Sequence, residues 1–190
     1  MSEADDERLV REAQEGSLRS FNLLVERYQT QLYNFCLRYV GDHQLAEDTT
    51  QEAFLAAWRA LGSFTGGSFK AWLFRIAVNE ARDLHRKASR RPSSSLEDLL
   101  EAGATGGAEA DHAPSPEEAA LSAATVRAVE RAIQRLAPEH REVVVLSDVQ
   151  GLSYDEICEA LSLPLGTVKS RLFRGRVALR RLLLESGELS

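Results

Sequence analysis

The last third of the chain contains two helical segments separated by a short break, and this feature constrains the fold most. Residues 151–181 read GLSYDEICEALSLPLGTVKSRLFRGRVALRR. Ser153 and Glu156 have the spacing of a capping box, so the first helix should begin there. The break is Ser162-Leu163-Pro164, and Pro164 favours the first turn of a second helix. A short helix, a tight turn and a longer helix are typical of a helix-turn-helix that binds duplex DNA.

The second of these helices has one apolar face and one basic face. Its apolar residues recur at spacings of three, four and seven, with Gly175 on the same line. Six basic residues and no acidic residue lie between Lys169 and Arg181. A face of this kind can bind the phosphates and base edges of DNA. The predicted apolar line is Leu165, Val168, Leu172, Leu179 and Leu183, and the predicted DNA face is Lys169, Ser170, Phe173 and Arg174.

The overall charge of -6 does not exclude a nucleic-acid partner, because the acidic residues are concentrated in one segment. Residues 92–123 hold seven carboxylates and no lysine or arginine. An aromatic content of 7% and five prolines disfavour an all-β sandwich. Cys36 and Cys158 lie far apart without a metal-binding motif, which indicates a reducing compartment and no zinc site. The first residues contain no apolar run, so we expect a cytoplasmic protein without a signal peptide or membrane span.

The first 91 residues predict a bundle of helices. Helical character extends from Asp5 to Glu15, from Phe21 to Gly41, from Asp42 to about Leu61, and again after a glycine-rich loop at 62–68. Ser17 or Ser20 is the predicted N-cap of the second helix, and Asp42 that of the third. These helices define the first of two predicted domains in an all-α fold.

The helix from 42 to 61 has a polar face that allows two interpretations. Its predicted buried line is Ala46, Ala53, Phe54, Ala57 and Leu61. An exposed leucine beside carboxylates suits a docking surface, but spacing alone favours a solvated helix face. A metal pair is disfavoured because no histidine lies within a turn of the two carboxylates. The face in question consists of Asp48, Gln51, Glu52 and Leu55.

The helix after the glycine-rich loop carries a basic stripe interrupted by one amide. Its predicted core residues are Phe69, Leu73, Ile76 and Ala77, and Phe64 lies in the loop before it. A basic stripe with an amide and a nearby aromatic ring can stack on and read an unpaired base. The alternative is an exposed arginine helix whose tryptophan belongs to the core. The stripe consists of Arg75, Asn79, Arg82 and Arg86, with Trp72 one turn before it.

A flexible acidic linker and a second helical domain should follow. Ser93 to about Pro116 is rich in Ser, Gly, Ala and acid, with a short helical turn predicted at 96–100. Pro116 begins a helix, and Pro138 begins another that should continue through the valines at 143–145. The predicted divisions are 1–91, 92–118 and 119–190. Apolar positions of the first of these helices are Leu121, Val126, Val129, Ile133 and Leu136.

Four blocks together resemble the extracytoplasmic-function group of the sigma-70 family, and most closely its sigma-E type. They are FNLLVERY at 21–28, AEDTTQEAF at 46–54, FKAWLFRIAVNEARD at 69–83, and LSYDEICEALSLPLGTVKSRLFRGR at 152–176. In order and spacing they cover nearly all of residues 5–185. The resemblance implies an all-α, two-domain subunit that directs bacterial RNA polymerase to promoters and performs no covalent chemistry. It implies no cofactor and no metal.

The resemblance also implies a role for each surface. The polar face of the third helix should bind the clamp helices of the polymerase's largest subunit, and the second domain should bind the flap of the second-largest subunit. Members of this group are commonly held inactive by an anti-sigma factor, so such a partner is expected, and it could hold the chain at the membrane. The implied polymerase-binding residues are Asp48, Gln51, Glu52 and Leu55. The implied minus-10 residues are Phe64, Trp72, Arg75, Asn79, Arg82 and Arg86. The implied minus-35 residues are Lys169, Ser170, Phe173 and Arg174, with Thr167 and Arg171 on phosphates.

Three departures from the family pattern bear on these assignments. Thr49 and Thr50 stand inside the polymerase-binding block where an apolar residue is common. Ser162 stands where glycine is common, so it should adopt a left-handed backbone conformation. Lys169 replaces arginine and cannot make the same planar fork, which predicts a different minus-35 preference.

Two other classes of protein are compatible with parts of the sequence. An ordinary helix-turn-helix repressor or activator would use residues 1–91 for dimerisation or ligand binding. An enzyme is disfavoured because no nucleophile with a base, metal cluster or phosphate loop is recognisable.

Overall fold

A computed structural model describes residues 3–89 and 116–186, and its regular structure in those ranges is helical without a β-strand. The all-α prediction is confirmed. A 3-10 turn, Leu61–Ser63, follows the third helix, and a π-helical segment, Val145–Val149, follows the sixth. The α-helices are α1 Glu3–Gln14, α2 Leu18–Val40, α3 His43–Ala60, α4 Phe69–Ser89, α5 Pro116–Gln134, α6 Pro138–Val144, α7 Tyr154–Leu161 and α8 Leu165–Glu185.

Local capping signals fix the helix ends of the first domain. The Ser17 hydroxyl accepts a hydrogen bond from the Ser20 backbone N–H and begins α2. Gly41 ends α2 in the left-handed conformation, with φ at 81°, where glycine has no steric cost. Asp42 then accepts from the Leu45 N–H at 2.7 Å and begins α3. The core behind these helices contains Leu24, Leu32, Phe35 and Phe74, all completely buried.

The second domain contains the predicted helix-turn-helix. The capping box of α7 is complete, with hydrogen bonds in both directions between Ser153 and Glu156. Ser162 ends α7 with φ at 53° and ψ at 46°, which confirms the predicted left-handed conformation. Pro138 is the first residue of α6, as predicted. Pro164 instead precedes α8 as its N-cap, with an extended ψ of 147°, so α8 begins at Leu165.

Parts of two predicted apolar lines are wrong. Val126 is 46% exposed and Leu165 is 41% exposed, although both were expected to be buried. Leu165 is the first residue of α8 and Val126 lies in the middle of α5, and at both positions the apolar period continues although no packing partner covers the side chain. Ile76 is only partly buried. The buried line of α5 is Ala128, Ala132 and Ile133, with Val129 half-buried, and Leu136 is buried just beyond the end of the helix.

Some predictions concern residues outside the described ranges. The acidic linker and the short turn at 96–100 are among them, and so is the side chain of Leu121. The predicted domain boundaries stay a prediction. None of the helices in the described ranges is long and apolar enough to cross a membrane.

The two domains pack against one another, which the sequence did not indicate. Helix α4 packs on α7, and α2 packs on α5 and α6. Their buried residues form one continuous apolar cluster that extends from Leu9 in α1 to Leu172 in α8. The arrangement brings the basic stripe of α4 and part of α8 to the same side of the molecule.

Candidate nucleic-acid interface and docking face

Helix α3 presents the predicted docking face to solvent. Asp48, Gln51 and Glu52 are exposed, and Leu55 is 47% exposed beside them. Leu45 adds a second apolar side chain at 38% exposure, one turn before Asp48 and Thr49. Opposite them, the predicted line of alanines, Phe54 and Leu61 is buried, as expected. The surface therefore combines two carboxylates, an amide and two accessible leucines.

Thr49 and Thr50 do not belong to this face. Both are buried, and their hydroxyls donate to the carbonyls of Leu45 and Ala46 four residues earlier, each at 2.6 Å. The backbone of the same helix therefore satisfies the polar atoms of both threonines. Their departure from the family pattern alters the core side of α3 and leaves the exposed face intact.

The loop between α3 and α4 holds Phe64 against two aromatic rings. Its ring centroid lies 5.3 Å from that of Trp72 and 6.0 Å from that of Phe69, the second pair edge to face. The Gln14 amide donates to the Leu61 carbonyl at 2.9 Å and to the Phe64 carbonyl at 2.8 Å. Helix α1 thus anchors the loop, and Phe64 remains half-buried and accessible from one side.

Trp72 is a core residue. It is 4% exposed and packs between the loop and α4. Of the two interpretations, the one in which the tryptophan belongs to the core is therefore correct for its position. It supports Phe64 from behind and does not itself offer a free face. A role in strand opening would therefore require the loop to move.

Part of the basic stripe on α4 faces solvent, and part contacts the second domain of the same chain. Asn79 is exposed and Arg75 is half-buried. Arg86 forms an ion pair with Asp83 one turn earlier on the same helix. Arg82 makes a fork to Glu142 of the second domain, with its Nε 2.7 Å from Oε1 and its Nη2 2.6 Å from Oε2. That hydrogen-bonded pair raises the pKa of Arg82, so the guanidinium stays charged.

Glu142 is the centre of a polar cluster that sequence reasoning missed. It is 3% exposed, and the Tyr39 hydroxyl also donates to it at 3.2 Å. Burial, together with the neighbouring Glu142 carboxylate, raises the pKa of Tyr39 to about 12. Buried Arg141 donates to the Tyr39 carbonyl at 2.5 Å, and burial lowers the pKa of Arg141. Nothing in the local sequence pattern marked these residues as a cluster.

A second polar contact joins the domains at the glycine-rich loop. The Ser68 hydroxyl donates to Glu156 Oε1 at 2.7 Å, and the Lys70 ammonium donates to the Gln150 carbonyl at 2.7 Å. Burial alone would raise the pKa of Glu156, but hydrogen bonds from Ser68 and Ser153 outweigh it and hold the pKa below its ordinary value. The capping box of α7 therefore also ties the two domains together.

Helix α8 presents its predicted DNA face to solvent. Lys169, Ser170 and Arg174 are exposed, and Phe173 is 70% exposed, the largest fraction among the exposed large apolar side chains. Thr167 and Arg171 are half-buried at the edge of this face. The structure thus brings together all six residues predicted to contact the minus-35 element.

Arg176 does not share in this basic face, although it lies in the same basic run. It makes a fork to Asp148, with its Nε 3.0 Å from Oδ2 and its Nη2 2.5 Å from Oδ1. The hydrogen bonds to Asp148 raise the pKa of Arg176. Gly175 lies directly behind it, where a Cβ would come 2.7 Å from Val144 Cγ2. Helices α6 and α8 therefore pack in close contact beneath the exposed basic face.

Among the described residues, no group of three or more His, Cys, Asp or Glu side chains is placed to hold a metal ion. The two cysteines are free, Cys36 completely buried and Cys158 partly exposed. Burial raises the pKa of Cys36 to about 11, so it is an unreactive core thiol. The surfaces described above contain exposed basic, amide and aromatic groups, which suit binding.

Two helical domains, one with an exposed helix-turn-helix and one with a basic and aromatic surface, define a DNA-binding protein of two modules. Residues 24–91 match the family model described as Sigma-70 region 2, and residues 126–179 match that of Sigma-70, region 4. The chain belongs to the extracytoplasmic-function group of the sigma-70 family, and it is a sigma factor without enzymatic activity.

Individual relatives agree with this assignment over nearly the full length. The RNA polymerase sigma-H factor of Pseudomonas aeruginosa is 40% identical over 188 residues, covering 96% of each chain. The ECF RNA polymerase sigma-E factor of Escherichia coli K12 is 42% identical over 177 residues, covering 92% of each. These identities support the resemblance to the sigma-E type that the four blocks indicated.

Two solved structures have a similar fold. CnrH in complex with the cytosolic domain of CnrY has a TM-score of 0.69 at 30% identity, over 94% of this chain and 97% of CnrH. The sigma factor RpoE in complex with the anti-sigma factor NepR from Bartonella quintana has a TM-score of 0.68 at 28% identity, over 87% and 98%. Both similar structures are therefore of complexes with a second protein.

Proposed function

We propose that this sigma factor binds core RNA polymerase through α3, reads the minus-10 element with the loop and α4, and reads the minus-35 element with α8. The observation that carries the proposal is the joint exposure of three chemically different surfaces on one chain. Each matches a block through which the family resemblance implies that role. One small DNA reader makes few base contacts, so polymerase supplies much of the affinity for a promoter.

The minus-10 role rests on Phe64 and Asn79. Flipping a base out of the stack costs a few kcal/mol, which stacking and hydrogen bonds in a pocket offset in part. Phe64 offers an accessible aromatic face supported by Trp72, and Asn79 offers an exposed amide on the adjoining helix. Arg75 adds positive charge that attracts the strand backbone, and Arg82 and Arg86 would add theirs on release from Glu142 and Asp83.

The minus-35 role rests on the exposed face of α8. A good bidentate contact from an arginine to guanine contributes about 1 to 3 kcal/mol of discrimination. Arg174 is exposed and suited to such a contact, and Phe173 can pack on a thymine methyl. Lys169 and Ser170 complete the base-facing set, and Thr167 and Arg171 contact phosphates. The same domain contacts the polymerase flap.

Regulation by an anti-sigma factor is part of this proposal. The similar structures of CnrH and RpoE were both solved with a second protein, the cytosolic domain of CnrY in the first and the anti-sigma factor NepR in the second. An analogous partner for this chain would compete with polymerase for the accessible leucines of α3. We place the chain in the cytoplasm, held near the membrane when such a partner is membrane-anchored.

Reconstituted transcription tests the proposal. Purified chain and core RNA polymerase are incubated with genomic DNA fragments, and the start sites that appear are mapped. The double substitution Asp48→Ala and Glu52→Ala should reduce affinity for core polymerase at least tenfold, because both exposed carboxylates lie on the proposed docking face. Tenfold corresponds to about 1.4 kcal/mol.

The matched control changes the net charge by the same amount elsewhere. Glu15, just after α1, and Glu26 on α2 are exposed carboxylates, and replacing both with alanine should leave polymerase affinity unchanged. Equal affinity for both double variants would contradict the docking assignment. Tight binding to an operator without polymerase, and no added transcription with it, would instead favour an ordinary repressor or activator.

A further inference from the structure

The proposed minus-10 and minus-35 surfaces border one small cleft. Asn79 and Arg82 of α4 line one side, and Arg171 of α8 and Glu142 of α6 line the other. The cavity measures about 580 Å³, the size of a small-molecule pocket, and does not admit a duplex.

The two promoter elements are much farther apart than the two walls of this cleft. Elements centred near minus 35 and minus 10 are separated by about 25 base pairs, or roughly 85 Å at 3.4 Å per base pair. Asn79 and Arg171 cannot reach both elements while they face each other across the cleft. The closed arrangement is therefore incompatible with engagement of both elements by one chain.

One polar contact, the Glu142–Arg82 pair, holds the closed arrangement together, and we call this pair the latch. The Glu142 carboxylate is 3% exposed and accepts two hydrogen bonds from Arg82 and one from Tyr39. Arg82 belongs to the basic stripe proposed to contact the minus-10 strand, so Glu142 occupies a group that a phosphate would otherwise bind. A carboxylate that stays buried without its partner is strongly destabilising, so loss of the Arg82 side chain should disfavour the closed arrangement.

We propose that the free chain inhibits itself by closing on the Glu142–Arg82 pair, and that promoter engagement requires this pair to open. The effect on promoter use rests on the proposed function, because only a protein that reads two separated promoter elements needs to open. Only open chains can engage both promoter elements. The apparent affinity for the promoter is therefore the affinity of the open chain multiplied by the fraction of chains that are open. The contacts from Ser68 and Lys70 hold the glycine-rich loop against the second domain in the same closed state.

The inhibition acts mainly on the minus-10 side. Arg82 is bound to Glu142 and the glycine-rich loop to Glu156, whereas Phe173 on α8 remains 70% exposed. A minus-35 duplex therefore has access to α8 in the closed chain, whereas Arg82 and the glycine-rich loop are already bound by the second domain. Binding of α8 to DNA first, followed by opening, is the order that these exposures favour.

Small-angle X-ray scattering of the full-length chain tests the latch without polymerase or DNA. Glu142→Gln removes the charge at nearly constant shape, and Glu142→Arg places like charges opposite each other. Both should increase the radius of gyration, the second more than the first. Glu139→Gln is the matched control, because Glu139 is an exposed carboxylate on the same helix that lines the same cleft. It should leave the radius unchanged.

A charge swap separates opening from loss of folding. Arg82→Glu alone should open the chain, and Arg82→Glu combined with Glu142→Arg should close it again, with circular dichroism unchanged in each. If the Glu142 variants lose helix content, Arg82→Gln opens the pair from its half-exposed side and provides the same readout. An unchanged radius in every folded variant that breaks the pair would overturn the proposal, as would a swap that stays open.

The consequence for promoter use has its own measurement. At a mapped promoter with purified core polymerase, Glu142→Gln should lower the concentration of chain that gives half-maximal transcription about fivefold or more, the lower range of ordinary coupling between sites. If Glu142→Gln opens the chain but leaves the concentration for half-maximal transcription unchanged, the inhibitory role is overturned. If wild-type chain supports no transcription at all, the proposed function fails, and the scattering result still decides whether the latch exists.

Discussion

At the scale of single residues, the basic run of α8 contains arginines with different surroundings. Arg174 is exposed on the face proposed to bind DNA, whereas Arg176 two residues later forms a fork with Asp148 of the π-helical segment. Spacing correctly predicted that Lys169, Ser170, Phe173 and Arg174 share one exposed face, because helical geometry alone sets which side chains share a surface. Spacing could not identify Asp148 as a partner, because that contact depends on how α8 packs.

Arg174 and Arg176 therefore make a matched pair for mutation. Arg174→Ala should relax sequence preference at one position of the minus-35 element, losing about 1 to 3 kcal/mol of discrimination there, because it would remove the proposed base contact. Arg176→Ala should leave preference unchanged and cost at most about 1 kcal/mol of unfolding free energy, since its ion pair is largely exposed. Transcription from a promoter library randomised across that element measures the first effect, and urea unfolding measures the second. A uniform loss across all sequences for Arg174→Ala would assign it to a phosphate.

At the scale of helices, sequence predicted the ends better than the buried lines. The caps at Ser17, Asp42 and Ser153 form as expected because each depends on a side chain and a backbone group a few residues away. Val126 and Leu165 fit an apolar period but have no neighbour to cover them. A period indicates which face can be buried, and only packing determines how far along the helix burial extends.

Two glycines of α8 test the packing between α6 and α8. Gly175→Ala should destabilise the fold by about 1 to 3 kcal/mol, because the new Cβ would lie 2.7 Å from Val144 Cγ2 and 3.3 Å from the His140 carbonyl oxygen. Gly166→Ala should stabilise it by about 0.5 to 1 kcal/mol, since no atom lies within 4 Å and alanine restricts the unfolded chain. Chemical denaturation of both variants measures the difference. Equal effects for the two substitutions would mean that α6 and α8 are not in close contact at Gly175.

At the scale of the whole molecule, contacts between residues distant in sequence join the two domains. Arg82 and Glu142 are 60 residues apart, and Tyr39 and Glu142 are 103 apart. No local pattern connects such residues, so the sequence predicted two domains and a linker but not their packing. The polar cluster is also easy to overlook because a single glutamate in a helix is usually a solvated residue.

Joint packing predicts how the chain unfolds. Because the apolar cluster is continuous from Leu9 to Leu172, the wild-type chain should show one calorimetric transition that includes both domains. Glu142→Gln should weaken the interface by about 1 to 3 kcal/mol, because a buried charged hydrogen-bond acceptor is replaced by a neutral amide beside Arg82 and Tyr39. The transition should then separate into two, with the less stable domain melting at lower temperature.

Glu139→Gln controls for the calorimetric experiment, since it removes one exposed carboxylate from the same cleft without altering the Glu142 cluster. It should keep the single transition. Two separate transitions in the wild-type chain would show that the domains unfold independently, and the latch would then be too weak to close the molecule. A single transition that persists in Glu142→Gln would instead assign domain coupling to the apolar cluster and to the Ser68 and Lys70 contacts, because these hold the domains without the buried charge.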